Sequence, residues 1–286
     1  IRKPKGSSQS NACRNRGKGI MKYLQNLHTH TTYADGKDTP EELILKAIDK
    51  GFDSVGFSEH SYMTYSKSFS GPVDKTSEYK EEIKGLKEKY KDKIKIFCGL
   101  EVDMFSCPDM SGYDYLIGSA HYFKFGENYV GFDRSADEVE RVINKYFNGD
   151  GLLYAKEYYK LLSTLPEYGD FDIIGHFDLI TKHIDTNDFF DVTSKEYVNA
   201  AVEAAECLVG KIPFFEVNTG AVAREYRKTV YPTVDVTKEL NRLGFGAVIT
   251  SDCHNADMLD CSFSDAEALL RYCGFKEIYI LTDDGF

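Results

Sequence analysis

Asn26-Leu27-His28-Thr29-His30-Thr31-Thr32-Tyr33-Ala34-Asp35 is the stretch on which the reading of this chain turns. It follows a short apolar run, 21–27, with the pattern of a strand. Residues two apart on a strand point to one side, so His28 and His30 aim both imidazoles at one place. Asp35 stands a few residues further along the loop. Two neutral imidazoles and a carboxylate suit a borderline divalent cation such as zinc, iron or manganese. A pair of surface histidines is the competing reading of this motif alone. The positions of the other histidines decide between the two.

Outward from that stretch, strand and helix signals alternate. Thr39-Pro40-Glu41-Glu42 combines a cap, Pro at the first helical position and Glu at the third. Leu43, Ile44, Ala47 and Ile48 give that helix its apolar face, and Gly51 ends it. A second strand, 54–58, runs directly into Glu59-His60. After a polar loop, 61–75, and a charged helix, 76–91, a third strand, 94–100, ends in Glu101. The fourth, 113–119, is followed by Ala120-His121. The fifth, 171–175, precedes His176, and the sixth, 213–217, precedes Asn218. The seventh, 245–250, ends in Ser251-Asp252-Cys253-His254. Capping boxes at Ser135, Thr193 and Ser264 open helices between or after these strands. Two more helices fall at 150–165 and near 234–243, and 277–281 is compatible with a last strand.

Strands that are near-continuous apolar runs, separated by helices, predict a parallel sheet covered by helices. In an open sheet only the strands at a switch point reach a ligand. In a barrel every strand end faces one mouth. All seven strands here stop at a His, Asp, Glu or Asn, so a closed α/β barrel is the economical architecture.

With 286 residues the chain suits one large single-core domain. Residues 1–20 are basic and polar without periodicity, which reads as a tail, with Met21 as the natural start of a single domain over 21–286. No apolar run approaches the length of a membrane span, and no signal-peptide pattern is present. A net charge of −11 repels polyanions, which argues against nucleic acid and acidic membrane as partners. Seven cysteines without C-x-x-C spacing suit a reduced, cytoplasmic protein. Oligomeric state is open at this level.

His28, His30, Asp35, His60, Glu101, His121, His176, Asp252 and His254 all fall at or just after C-terminal strand ends. Six of the chain's seven histidines are in that set, a coincidence that scattered packing roles do not explain. The set is too large for one tetrahedral ion, so two or three divalent metal ions are expected. Three carboxylates against three divalent ions leave the loaded mouth cationic, which suits a small phosphomonoester. Such a cluster makes hydroxide from bound water and stabilises attacking and leaving oxygens, so phosphate-ester hydrolysis is the natural reaction.

The ordered motifs His28-x-His30, Ser58-Glu59-His60, Gly99-Leu100-Glu101, Gly118-Ser119-x-His121, Ile174-Gly175-His176-x-Asp178 and Ser251-Asp252-x-His254 resemble the polymerase-and-histidinol-phosphatase (PHP) superfamily. The likeness covers essentially all of 21–286. It implies a distorted (β/α)7 barrel with a trinuclear metal site. Asp35-Gly36, the Thr39-Pro40-Glu41-Glu42 helix start, 174–182 and 216–224 are most similar to the branch that hydrolyses L-histidinol phosphate in histidine biosynthesis.

Carried over, the resemblance implies His28, His30 and Asp252 on one ion, His121 and His176 on a second, and Asp35, His60 and His254 on a third. Glu101 would bridge the first two. Glu101, Asp252 and His254 are then catalytic, and Arg224, with Lys182 as a weaker candidate, grips the phosphate. Arg227 reads as a solvated loop charge, His183 as packing, and Cys253 as packing. Tyr62, Tyr65, Phe69, Tyr122 and Phe123 are candidates to hold the organic part of the substrate. Two alternatives stand beside this: a phosphoesterase for phosphotyrosine, a small nucleotide or a DNA end, and a non-catalytic module of the same fold.

Overall fold

A computed structural model describes residues 23–66, 71 and 75–286. The tail at 1–20, the start of the first strand at Met21 and the substrate candidate Phe69 lie outside the described residues.

Seven strands form one sheet: β1 (Gln25–Asn26), β2 (Ser54–His60), β3 (Lys95–Asp103), β4 (Tyr115–Ser119), β7 (Ile173–Ile174), β8 (Phe214–Asn218) and β9 (Gly246–Thr250). They are hydrogen-bonded in that order and every pairing is parallel. The two ends of the sheet meet just past β1 and β9. There His30 N donates to Cys253 O at 2.8 Å and Cys253 N to His28 O at 3.2 Å. The result is a nearly closed seven-stranded parallel barrel with helices outside, as the alternating pattern predicts. Strands β5 (Tyr122–Phe125) and β6 (Asn128–Gly131) add an antiparallel hairpin that the sequence reading does not contain.

Local signals set the helix starts. Helix α1 (Pro40–Asp49) carries a complete capping box between Thr39 and Glu42. Helix α2 (Thr76–Tyr90) buries Tyr79, Ile83 and Leu86 against the barrel, a stripe at helical spacing. Ser135 caps α3 (Ala136–Tyr146) and Asp150 caps α4 (Gly151–Leu162). Helix α5 (Lys195–Leu208) is capped by Ser194, one residue after the expected Thr193, whose hydroxyl is committed to Asp191. A short α6 (Gly220–Ala223) and α7 (Val234–Leu243) follow β8. Helix α8 (Phe263–Tyr272) starts ahead of the expected box, because Ser262 turns the chain at φ 53°.

The expected last strand at 277–281 does not form. Tyr279 N donates once, to Ala247 O, but Leu281 N is taken by the Gln25 side chain, so no ladder builds. Leu281 instead closes the bottom of the barrel with Leu27, Phe97, Tyr115, Ile117, Ile173 and Val248. A second, larger apolar cluster fills the layer between the strands and the helices. Among the described residues no helix is long and apolar enough to cross a membrane.

Candidate metal centre

Parallel strands deliver their C-terminal ends to one face, and the polar residues collect there. The nine residues expected as ligands all come together at this mouth. Three sets of ligand atoms lie within 4.8 Å of one another: His30, Asp35, His60 and His254; His28, His30 and Asp252; and Glu101, His121 and His176. His30 belongs to two sets, where the sequence reading gave it one. Asp252 adopts φ 45°, a left-handed conformation that Asp tolerates better than most residues, and it turns the chain between β9 and His254.

Glu101 sits at the centre. Its Oε1 is 3.0 Å from His176 Nε2 and 3.5 Å from His121 Nε2, and its Oε2 is 3.4 Å from His28 Nε2 and 3.5 Å from His30 Nε2. Burial works against its charge, but His28, His60 and His121 outweigh burial and hold its pKa well below the usual range. Burial likewise opposes protonation of His60, yet Glu101 and Asp35 raise its pKa to about 9. His30 goes the other way. Burial and the neighbouring His60 and His254 push it down to about 3, so it stays a neutral imidazole with one nitrogen lone pair to offer.

Several buried atoms at this mouth have no hydrogen bond: both ring nitrogens of His30, His28 Nε2, Asp35 Oδ1 and His176 Nδ1. Buried polar atoms are normally satisfied, so a cluster of orphans marks a missing partner. The donor set is imidazole and carboxylate, which fits zinc, iron or manganese. The residues present therefore fit a multinuclear divalent metal centre.

Two carboxylates that the sequence reading passed over stand behind the ligands. Asp103 Oδ2 is 3.2 Å from His121 Nδ1, and Glu216 Oε2 is 2.9 Å from His28 Nδ1. Both pairings turn the Nε2 edge toward the centre. Asp103 was legible in principle, since it lies two residues beyond Glu101 on β3 and so faces the same side. Glu59 turns its carboxylate to the loop after His30. It accepts from Thr31 N at 2.9 Å and from Thr31 Oγ1, and burial raises its pKa to about 7.

Above the ligands opens a cleft of about 230 Å³, also lined by Asp133, Leu179, Lys182, Arg224 and Tyr226. Arg224 bridges ligands: Nη2 donates to Asp252 Oδ2, and Nη1 to Asp252 O, each at 2.9 Å, with His254 Nδ1 also 2.9 Å from Nη1. Its Nε has no hydrogen bond. Lys182 Nζ is 2.9 Å from Asp133 Oδ2 and 5.2 Å from the centre of the Tyr226 ring. The Lys182 charge pulls the Asp133 pKa down to about 2 against the effect of burial. Asp133 Oδ1 is left without a partner.

Other expected residues lie elsewhere. Arg227 is not a solvated charge: it is buried and donates to Thr181 Oγ1 at 2.5 Å and to Thr229 Oγ1 at 2.9 Å. His183 is buried beside Tyr226 with Nε2 3.0 Å from Asp133 O, and Cys253 is buried as packing. Among the described residues, the aromatic candidates do not line this cleft; Tyr62 and Tyr65 line a neighbouring pocket of about 540 Å³ that His60 also borders. Tyr65 stacks on Tyr129 and donates to Asp103 at 2.5 Å, Phe123 packs in the core against Phe132 and Tyr154, and Tyr62 is exposed. A larger cavity, about 820 Å³, opens at the opposite end of the barrel. It has no histidine in its lining, and its Lys87 and Lys95 are paired with Asp114 and Asp283, so the chemistry is not there.

A family model described as PHP domain matches residues 26–220. A protein of Schizosaccharomyces pombe named "Probable histidinol-phosphatase" is 26% identical over 89% of this chain and 88% of its own length. The histidinol-phosphatase of Lactococcus lactis is 25% identical over 90% of this chain and 94% of its own length. A crystal structure of the Lactococcus lactis histidinol phosphate phosphatase, complexed with zinc, L-histidinol and phosphate, superposes with a TM-score of 0.68 at 23% identity, covering 88% of this chain and 94% of that one. That likeness establishes a shared fold. The family match spans more than half of the sequence, and this chain belongs to the PHP family.

Proposed function

We propose that this chain is a metal-dependent phosphatase that hydrolyses L-histidinol phosphate to L-histidinol and phosphate. One observation carries the reading. Orphaned, buried ligand atoms of His28, His30, Asp35 and His176 converge around Glu101 beneath a cleft that also holds Arg224 and Lys182. Relatives from a yeast and a bacterium, matched over nearly their whole length, carry the name histidinol-phosphatase, which supports the substrate class.

Residues 21–286 are read as one catalytic domain. His28, His30 and Asp252 would hold one ion, Asp35, His60 and His254 a second, and Glu101, His121 and His176 a third. Glu101, whose carboxylate lies within 3.5 Å of members of all three groups, would be shared between ions held there. Ions bound there would supply Lewis acidity toward phosphate oxygens and would lower the pKa of water toward neutrality. The chain's own residues do the rest. Arg224 fixes the carboxylate of Asp252 and lines the cleft, where its charge would orient the phosphate. Lys182 adds a second positive charge on the same wall. Leu179 and Tyr226 restrict water at the rim. Asp133, ionised and with one free oxygen, suits the cationic portion of an amino-alcohol phosphate. His254 and Asp35, each about a quarter exposed, mark the side from which substrate enters. The six described cysteines stand free of disulfides, which fits a cytoplasmic enzyme.

The test is phosphate release by protein loaded with zinc or manganese, ranked across L-histidinol phosphate, a phosphotyrosine peptide and a short DNA with a 3′ phosphate. Highest kcat/KM is expected for L-histidinol phosphate. Preference for either other substrate would move the chain to another phosphoesterase role, and no release from any by fully loaded protein would reduce it to a non-catalytic module.

A further inference from the structure

Glu216 does more than pair with His28. It is fully buried on β8 and does not line the cleft, so it touches neither substrate nor solvent. Yet its carboxylate is saturated by four donors from four parts of the chain. Oε2 accepts from Thr250 Oγ1 at 2.8 Å and lies 2.9 Å from His28 Nδ1. Oε1 accepts from the His176 backbone N at 2.6 Å and from Asn218 Nδ2 at 2.8 Å. A carboxylate has about four lone-pair sites, so nothing of Glu216 is left over for other work.

We propose that Glu216 is a positioning residue that clamps two ligand groups together and sets the tautomer of His28. This rests on the metal-centre reading of the same mouth. A proton on His28 Nδ1 is held by Glu216, which leaves the Nε2 lone pair facing Glu101 Oε2 at 3.4 Å and Asp252 Oδ1 at 3.7 Å. The same carboxylate grips the backbone at His176, whose ring belongs to the group with Glu101 and His121. One side chain therefore ties a ligand from the first strand end to a ligand from the fifth. The third group, Asp35, His60 and His254, has no bond to Glu216, so its ion should be indifferent to the clamp.

Glu216→Gln keeps the shape but replaces one acceptor oxygen by a donor. The amide must then oppose either the His28 ring proton or the His176 N–H. Partners of this kind are worth roughly 10–100-fold in metal affinity. The experiment is graded chelator competition on the zinc-loaded protein, read as ions retained per chain, together with 15N–1H spectra of the histidine rings. In the variant, part of the bound metal should become about 10–100-fold more chelator-sensitive while the remainder keeps wild-type resistance. The His28 ring should lose its single Nδ1–H tautomer. At saturating metal kcat should recover largely, with KM little changed, because Glu216 does not touch substrate. Thr250→Val removes one donor without altering a ligand and should loosen the same ions by a smaller factor, which covers the case in which Glu216→Gln fails to fold. Wild-type chelator resistance and an unchanged His28 tautomer in folded Glu216→Gln would overturn the proposal. Wild-type protein that binds no zinc would instead sink the metal-centre reading, and the tautomer measurement would still decide the clamp.

Discussion

Glu101 and His176 face each other across the centre of the barrel mouth, Oε1 to Nε2 at 3.0 Å. The second oxygen of that carboxylate lies 2.8 Å from His60 Nδ1 and within 3.5 Å of His30 Nε2. One acid thus reaches members of all three ligand groups, and its negative charge is shared among them. Glu101→Gln preserves the volume and removes the charge. The variant should lose bound ions and phosphate release by more than the roughly 10–100-fold typical of a residue that only orients a ligand. Elemental analysis alongside kcat checks this, and full metal content with wild-type kcat would refute the bridging role.

Arg224 makes a planar, two-pronged contact with Asp252 that a lysine cannot reproduce. Arg224→Lys keeps the charge and loses the fork. With metal held at saturation, kcat/KM for L-histidinol phosphate should fall by about 100-fold, the scale for losing one preorganised donor to transition-state charge. Steady-state kinetics on the loaded variant measures it. An unchanged kcat/KM would confine Arg224 to holding Asp252.

The ligand set was legible because each His stands where an apolar strand run stops, and parallel topology sends those stops to one face. The substrate wall was not. Tyr65 and Phe123 read as candidates from loop composition, but Tyr65 is spent on Tyr129 and Asp103, and Phe123 on the core. Arg227 misled in the opposite direction: a charge in a polar loop reads as solvated, and only the fold shows Thr181 and Thr229 waiting for it. Glu216 was hidden for the same reason. A Glu within a strand is unremarkable until its cross-barrel neighbours are known to be His28 and His176.

Metal-free and metal-loaded protein should respond oppositely to pH. Without metal, burial disfavours a charged His60 but Glu101 and Asp35 raise its pKa from 6.5 to about 9. A raised histidine pKa contributes stability that is present below 6.5 and lost as pH climbs through 9. Glu59, pushed up to about 7 by burial, costs stability as pH rises from 4.5 to 7. On the acid side, His30, lowered to about 3, and the depressed carboxylates of Asp35, Glu101 and Asp252 remove stability as pH falls. Metal-free protein should therefore lose Tm between pH 6.5 and 9, by an amount on the order of a few kcal/mol in stability. Loaded protein should gain over the same range, because ligands bind ions only when deprotonated. Thermal melts with and without chelator test this, and parallel profiles would count against it.

The floor beneath the ligands depends on two glycines. A Cβ at Gly99 would meet Tyr115 Cζ at 2.3 Å, and one at Gly56 would meet Tyr115 Oη at 2.5 Å. Tyr115 is fully buried in the barrel interior, and its hydroxyl donates to Leu27 O and, at 3.1 Å, to Phe57 O. Leu27 immediately precedes His28, so the ring braces the strand that carries the first ligand. Gly99→Ala leaves Tyr115 nowhere to go without moving that strand. It should destabilise the protein by about 1–3 kcal/mol, the range for overpacking a filled core. Tyr115→Phe, which empties no volume but removes the hydroxyl, should cost only about 1 kcal/mol. Urea unfolding of both variants separates the effects. A Gly99→Ala protein as stable as wild type would mean that the interior yields, and that Tyr115 does not brace His28.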